Sequence, residues 1–132
     1  MNSGIAVREV METIISLDSK AKARDAARLM VKKHIGSLVV NREGLPFGIV
    51  TERDILEKIV AQGADPSKVT VGDIMTAPLT TVEASASLTD AARKMIEKRV
   101  KRLIVTEHDK IIGIVSQTDL LQSILDFQFR MA

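Results

Sequence analysis

The chain has no cysteine, no tryptophan and no tyrosine, and only two histidines, His34 and His108, among its 132 residues. Without cysteine, neither a disulfide framework nor a thiolate metal site can form. The two histidines lie in different halves of the chain, so a histidine-based metal or nucleophile–base site would need folding to bring them together. Aromatic side chains are limited to Phe47, Phe127 and Phe129, which removes the stacking surface used to hold single-stranded nucleic acid. Charge of one sign is scarce as well: 19 basic residues face 17 acidic ones for a net charge of +2, too small an excess to argue for a polyanionic partner. Local enrichment is confined to an edge between Lys94 and Arg102, where salt-sensitive retention on a polynucleotide would betray binding. No apolar run approaches the ~20 residues of a membrane-spanning helix. Met1-Asn2-Ser3-Gly4 lacks the basic start and apolar stretch of a secretory signal. A soluble, cytoplasmic protein without membrane contact is the expectation.

What is present is enough apolar material to build a core, 45% of residues, and a repeat. Gly48-Ile49-Val50-Thr51-Glu52-Arg53-Asp54 recurs 65 residues later as Gly113-Ile114-Val115-Ser116-Gln117-Thr118-Asp119. Around each copy the same order of signals appears. A short amphipathic turn, Val7 to Met11 or Val71 to Met75, precedes a β-branched stretch, Ile14 to Leu17 or Leu79 to Val82. A helix follows, with Ala23, Ala26, Ala27, Met30 and Val31 on one face in the first copy and Leu88, Ala91, Ala92, Met95 and Ile96 in the second. Ser87 with Asp90 predicts a capping box for the second helix, whereas Lys22 in the matching position of the first supplies none. Two nearly continuous apolar strands then read as hairpins, Ser37 to Asn41 with Phe47 to Thr51, and Arg102 to Thr106 with Ile111 to Ser116. Such strands suit sheets covered on both faces. A final helix carries Ile55, Leu56, Ile59 and Val60, matched by Leu120, Leu121, Ile124 and Leu125. Residues up to about Ala6 read as a loose lead-in and Gly63 to Lys68 as a linker, placing the repeats at 1–68 and 69–132.

Locally, Thr51-x-x-Asp54 and Ser116-x-x-Asp119 are capping boxes, each worth about 1 kcal/mol and requiring no ligand. Capping leaves room for binding. A helix start offers backbone N–H groups to an anion, and an aspartate beside it can accept two hydrogen bonds from a ribose diol.

The duplicated Gly-h-h-[Ser/Thr]-x-x-Asp motif, each copy preceded by a helix carrying Asp-Ala-Ala-Arg-x-Met and by a Leu-x-Val strand, resembles the tandem cystathionine-β-synthase (CBS) domain pair, the Bateman module, over Val7 to Leu125. The resemblance implies an α/β (α+β) chain of two β-α-β-β-α repeats packed through their sheets with pseudo-twofold symmetry, commonly as a homodimer. It implies adenosine ligands such as AMP, ADP, ATP or S-adenosylmethionine, with no cofactor or metal required. Carried onto this sequence, the ribose-binding aspartate falls on Asp54 and Asp119 and the hydroxyl on Thr51 and Ser116. The position before the aspartate is Arg53 or Thr118. Adenine would meet the backbone of Ile15 or Thr80 and aliphatic walls such as Ile114. Residues just before the Leu-x-Val strand, Ile35, Gly36 and Ser37 or Val100, Lys101 and Arg102, complete the nucleotide-binding set. Lys101 and Arg102 could hold phosphate in one half, while Gly36 and Ser37 offer no charge in the other, where Arg53 would have to compensate. The two sites should therefore be inequivalent.

No catalytic constellation is visible. Asp54 and Asp119 stand one per repeat, so they cannot pair as acid and base in separate sites. The expected function is an adenine-nucleotide-binding regulatory module that senses energy or metabolite state and acts on a separate, unknown protein effector. The alternative is a structural protein-interaction module with vestigial ligand sites.

Overall fold

A computed structural model describes residues 4–131, with side chains described through Phe127; Phe129 lies outside the described side chains. It is a mixed α+β structure with two three-stranded sheets. The first contains β1 (Ser16–Asp18), β2 (Ser37–Arg42) and β3 (Leu45–Thr51), with β1 parallel to β2 and β3 antiparallel. The second repeats this with β4 (Thr81–Glu83), β5 (Arg102–Glu107) and β6 (Lys110–Ser116). Helices α1 (Ala23–Lys33) and α4 (Leu88–Lys98) fill the parallel crossovers. Both end on a left-handed residue, His34 or Arg99, at φ 56°. Ser87 caps α4 as its sequence predicts, and Lys22 leaves α1 without a side-chain cap.

The chain forms two compact units, each made of parts from both repeats. One is contiguous, Ile15–Leu79; the other joins residues 4–14 to residues 80–131. The reason lies in two backbone bridges. Thr76 exchanges N–H···O bonds with Ile49 at 2.8 and 2.9 Å, and Glu12 does the same with Ile114 at 2.8 and 3.0 Å. Each amphipathic turn thus adds to a sheet other than the one that follows it in sequence. The turn Val7–Glu9 is bound to the second sheet's unit by Val7 N–H to Ala86 C=O at 2.8 Å and Arg8 N–H to Ala84 C=O at 3.0 Å; of the expected loose lead-in, Ile5 and Ala6 are tied down too, Ile5 C=O accepting from Leu88 N–H at 3.3 Å and Ala6 pairing with Ser87. The counterpart helix α3 (Val71–Ile74) packs in the contiguous unit, with Val71 fully buried.

Gly48 and Gly113, the first residues of the repeated motif, owe their identity to these bridges. A Cβ on Gly48 would stand 2.8 Å from both Met75 Sδ and the Thr76 carbonyl oxygen; one on Gly113 would stand 2.7 Å from Met11 Sδ and 3.1 Å from the Glu12 carbonyl oxygen. The glycine serves close approach of a neighbouring segment.

Each unit has its own core. In the contiguous unit Ala23, Ala26 and Met30 of α1 cover Leu38, Val40 and Val50, with Ile59, Val71 and Ile74 closing the cluster. In the split unit Leu88, Ala91 and Met95 of α4 cover Leu103, Val105 and Val115 together with Val7, Val82 and Leu120. The helical faces are narrower than the apolar pattern predicts. Val31 is 76% exposed and Ile96 78%, while Leu56, Val60, Leu121, Ile124 and Leu125 are also exposed. Helix α2 (Glu52–Ile55) differs from its counterpart in continuing as a single π turn, Leu56–Val60, whereas α5 (Gln117–Met131) is one regular helix. No helix among the described residues is long and apolar enough to cross a membrane.

Candidate functional site

Strand pairing sets both copies of the motif in the same frame. Ser37 lies opposite Thr51, and Arg102 opposite Ser116, at the point where each outer strand hands over to its helix. The residue before each inner strand ties down the helix start, with Glu52 N–H donating to Gly36 C=O at 3.0 Å and Gln117 N–H to Lys101 C=O at 2.8 Å. The carbonyls of Ile15 and Thr80 accept from Val39 N–H at 3.0 Å and Ile104 N–H at 2.8 Å, so their hydrogen-bonding capacity is partly spent on the sheet. Ile114 lies opposite Ile104 and carries the bridge to Glu12, and Val100 packs against the split unit's core.

Both aspartates cap their helices. Asp54 N–H donates to Thr51 Oγ1 at 3.2 Å, and Asp54 Oδ2 accepts from the Thr51 N–H at 2.9 Å and its hydroxyl at 3.1 Å. Asp119 N–H donates to Ser116 Oγ at 3.1 Å, and Asp119 Oδ2 accepts from Ser116 N–H at 2.8 Å. There the likeness ends. Asp54 is only 7% exposed, and its Oδ1 is paired with Lys58 Nζ at 3.0 Å; that amine also donates to the Ile74 carbonyl at 2.7 Å. Arg53, expected to reach a ligand, instead pairs with Glu57 along the helix, its side chain 79% exposed. Thr118, its counterpart, is exposed.

Asp119 is half-buried and has no cationic partner within ion-pairing distance among the described residues. It borders a cavity of about 380 Å³ lined also by Ile5, Glu9, Val10, Gln122, Ser123, Asp126 and Phe127. Lys101 and Arg102 are not among its walls, so they bring no cation to this cavity. Ile35 and Gly36 open onto a different hollow, about 520 Å³, between α1 and the Glu52–Leu56 segment, and Asp54 does not line it.

Glu12 is the other ionisable neighbour of Asp119. A hydrogen bond with the Asp119 carboxylate, then burial, then the charge of Asp119 raise the Glu12 carboxyl above its usual range. A carboxyl raised by folding holds its proton more tightly in the folded state. The pair therefore stabilises most below the ordinary carboxylate pKa, and that contribution fades as pH climbs through the raised value. Glu12→Gln should gain on the parent in thermal unfolding between about pH 4 and about pH 7, across the carboxylate range. Because Glu12 is exposed, screening holds the gain to roughly 0.5 kcal/mol or less. A gap independent of pH would show that the two carboxyls do not interact.

Residues 7–61 and 71–126 both match the CBS domain. The chain belongs to the CBS-domain family. An uncharacterized protein of Methanopyrus kandleri is 38% identical to this CBS protein over 121 residues, covering 89% of the chain and 62% of the relative. The CBS fold matches a structure of a protein with CBS domains from Burkholderia ambifaria at TM-score 0.87 and 33% identity, covering 92% of this chain and 95% of that one. A hexameric CBS-CP12 protein from bloom-forming cyanobacteria matches at TM-score 0.82 and 32% identity, covering 89% and 66%. The chain thus spans somewhat under two thirds of the Methanopyrus and cyanobacterial proteins.

Sequence reasoning overlooked Lys58 and Glu12. Lys58 had a visible signal, an acid-to-base spacing of four residues from Asp54 on a helix. Glu12 had none, because its neighbour Asp119 lies more than a hundred positions away.

Proposed function

We propose that this CBS pair binds an adenosine-containing small molecule at the cavity beside Asp119 and thereby regulates a separate protein partner. The observation that carries the reading is the Asp119 carboxylate, fixed by Ser116 at a helix start and bordering a cavity of about 380 Å³. Hollows of roughly 300–1,000 Å³ accommodate small-molecule ligands. A carboxylate oxygen there can accept from vicinal hydroxyls.

The lining ranks the expected ligands. Glu9, Asp119 and Asp126 border the cavity, and among the described residues no lysine or arginine does. A triphosphate meets repulsion from that lining, whereas the sulfonium and ammonium of S-adenosylmethionine meet attraction. S-adenosylmethionine and AMP therefore rank above ATP. The exposed apolar side chains at equivalent places on the two units, Val31 with Ile96 and Leu56 with Leu121, favour assembly with a second copy of the chain.

Thermal unfolding with each ligand tests the reading. At a hundred times Kd a ligand adds about 2.7 kcal/mol. Asp119→Ala should lose this ligand-dependent increment, while its lost cap lowers the unliganded baseline by only about 1 kcal/mol. No shift with AMP, ADP, ATP or S-adenosylmethionine at millimolar excess would favour the other reading, an interaction module with unused ligand sites. In that case Asp119→Ala would change stability alone.

A further inference from the structure

We infer that Lys58 plugs the Asp54 position, and that Ser123 in the matching place is what leaves the Asp119 position open, so that the chain takes one adenosine-type ligand and not two. This rests on the ligand reading above and specifies its stoichiometry. In the contiguous unit the Lys58 amine sits between Asp54 Oδ1 at 3.0 Å and the Ile74 carbonyl at 2.7 Å. Thr51 occupies Asp54 Oδ2 with both its N–H and its hydroxyl. Both carboxylate oxygens of a largely buried aspartate are thus satisfied internally, one of them by a charge-assisted bond. A diol could reach Asp54 only by displacing the amine and leaving the carbonyl of Ile74 without it.

The repeat shows what replaces this arrangement in the split unit. Sixty-five residues beyond Lys58 stands Ser123, neutral and too short to span the gap, and the counterpart of Ile74 is Val10. Asp119, Val10 and Ser123 all line the 380 Å³ cavity. The cavity therefore lies where the first unit keeps its lysine; Glu12, which hydrogen-bonds to Asp119, is exposed and can turn to solvent, unlike the Lys58 amine held on the Ile74 carbonyl. Arg53 does not offset the closure, because it is paired with Glu57.

Equilibrium dialysis of the full chain with AMP and, separately, with S-adenosylmethionine decides the matter. One equivalent is expected for the parent, two for Lys58→Ser and none for Ser123→Lys, in which the new amine reaches Asp119. The two substitutions lie in different units, so a folding defect in one leaves the other informative. Two equivalents bound by the parent would overturn the plug while keeping the ligand reading. So would one equivalent that survives Asp119→Ala and is lost in Asp54→Ala, or Lys58→Ser remaining at one. If neither compound binds the parent or Lys58→Ser, the ligand reading itself fails and the plug falls with it.

Discussion

Gly48→Ala should destabilise the protein by about 2–3 kcal/mol in denaturant unfolding, the upper part of the roughly 1–3 kcal/mol range for forcing an added methyl into a packed position. The new Cβ would stand 2.8 Å from Met75 Sδ and 2.8 Å from the carbonyl oxygen of Thr76. A thioether can move aside, but the carbonyl cannot, because it accepts from Ile49 N–H at 2.9 Å within the bridge that joins residues 75–76 to the first sheet. Gly113→Ala should cost less. Its obstacle is mainly Met11 Sδ at 2.7 Å, with the Glu12 oxygen further off at 3.1 Å. Double-mutant cycles separate the cases. Met11→Ala should relieve much of the Gly113→Ala penalty, whereas Met75→Ala should leave most of the Gly48→Ala penalty in place. Equal relief in both cycles would show that the backbone oxygen is not the barrier.

Asp54→Ala should be the most damaging change among the residues named for ligand contact, at about 2.5–4 kcal/mol. It removes a cap, worth about 1 kcal/mol. It also removes the charged partner of Lys58, and losing a hydrogen bond to a charged group costs about 1.5–3 kcal/mol more. Asp119→Ala should cost no more than about the cap, because no cation is paired with it among the described residues and its neighbour Glu12 is a second, exposed carboxyl. Chemical denaturation of the two variants without ligand measures the difference. Lys58→Met combined with Asp54→Ala should recover part of the loss, since the charge left without its partner is then gone. Equal destabilisation by the two aspartate changes would mean that the Lys58 pair contributes nothing.

Most of the fold was legible because its signals are local and occur twice. The Ala-rich helices, the apolar strand pairs and the Ser87 cap each lie within a dozen residues. What pairing at long range decides was not legible. That Glu12 reaches Ile114 depends on which sheet edge is free when the turn docks, and no nearby residue records it. The motif glycines lie inside apolar strands with no local signal for why they are glycine, and the structure explains them by the approach of Met75 and Met11. For the candidate site, the aspartates and their capping hydroxyls were found from spacing. Arg53 pairs with Glu57 four residues on, a spacing visible in the sequence that competes with its reach toward a ligand. Periodicity puts Val31 and Ile96 on the apolar stripe without saying how much of it a neighbour covers, and both are exposed.

The exchange of the two amphipathic turns bears on the order in which the chain matures during synthesis. All the partners of the Ile15–Leu79 unit are made within one unbroken stretch, so that unit can close as soon as residue 79 has left the ribosome. Val7 and Glu12 emerge before that unit yet must wait for Ala86 and Ile114, a separation that makes their docking a late, high-contact-order step. Residues translated ahead of the first unit to close are among the last to find their places.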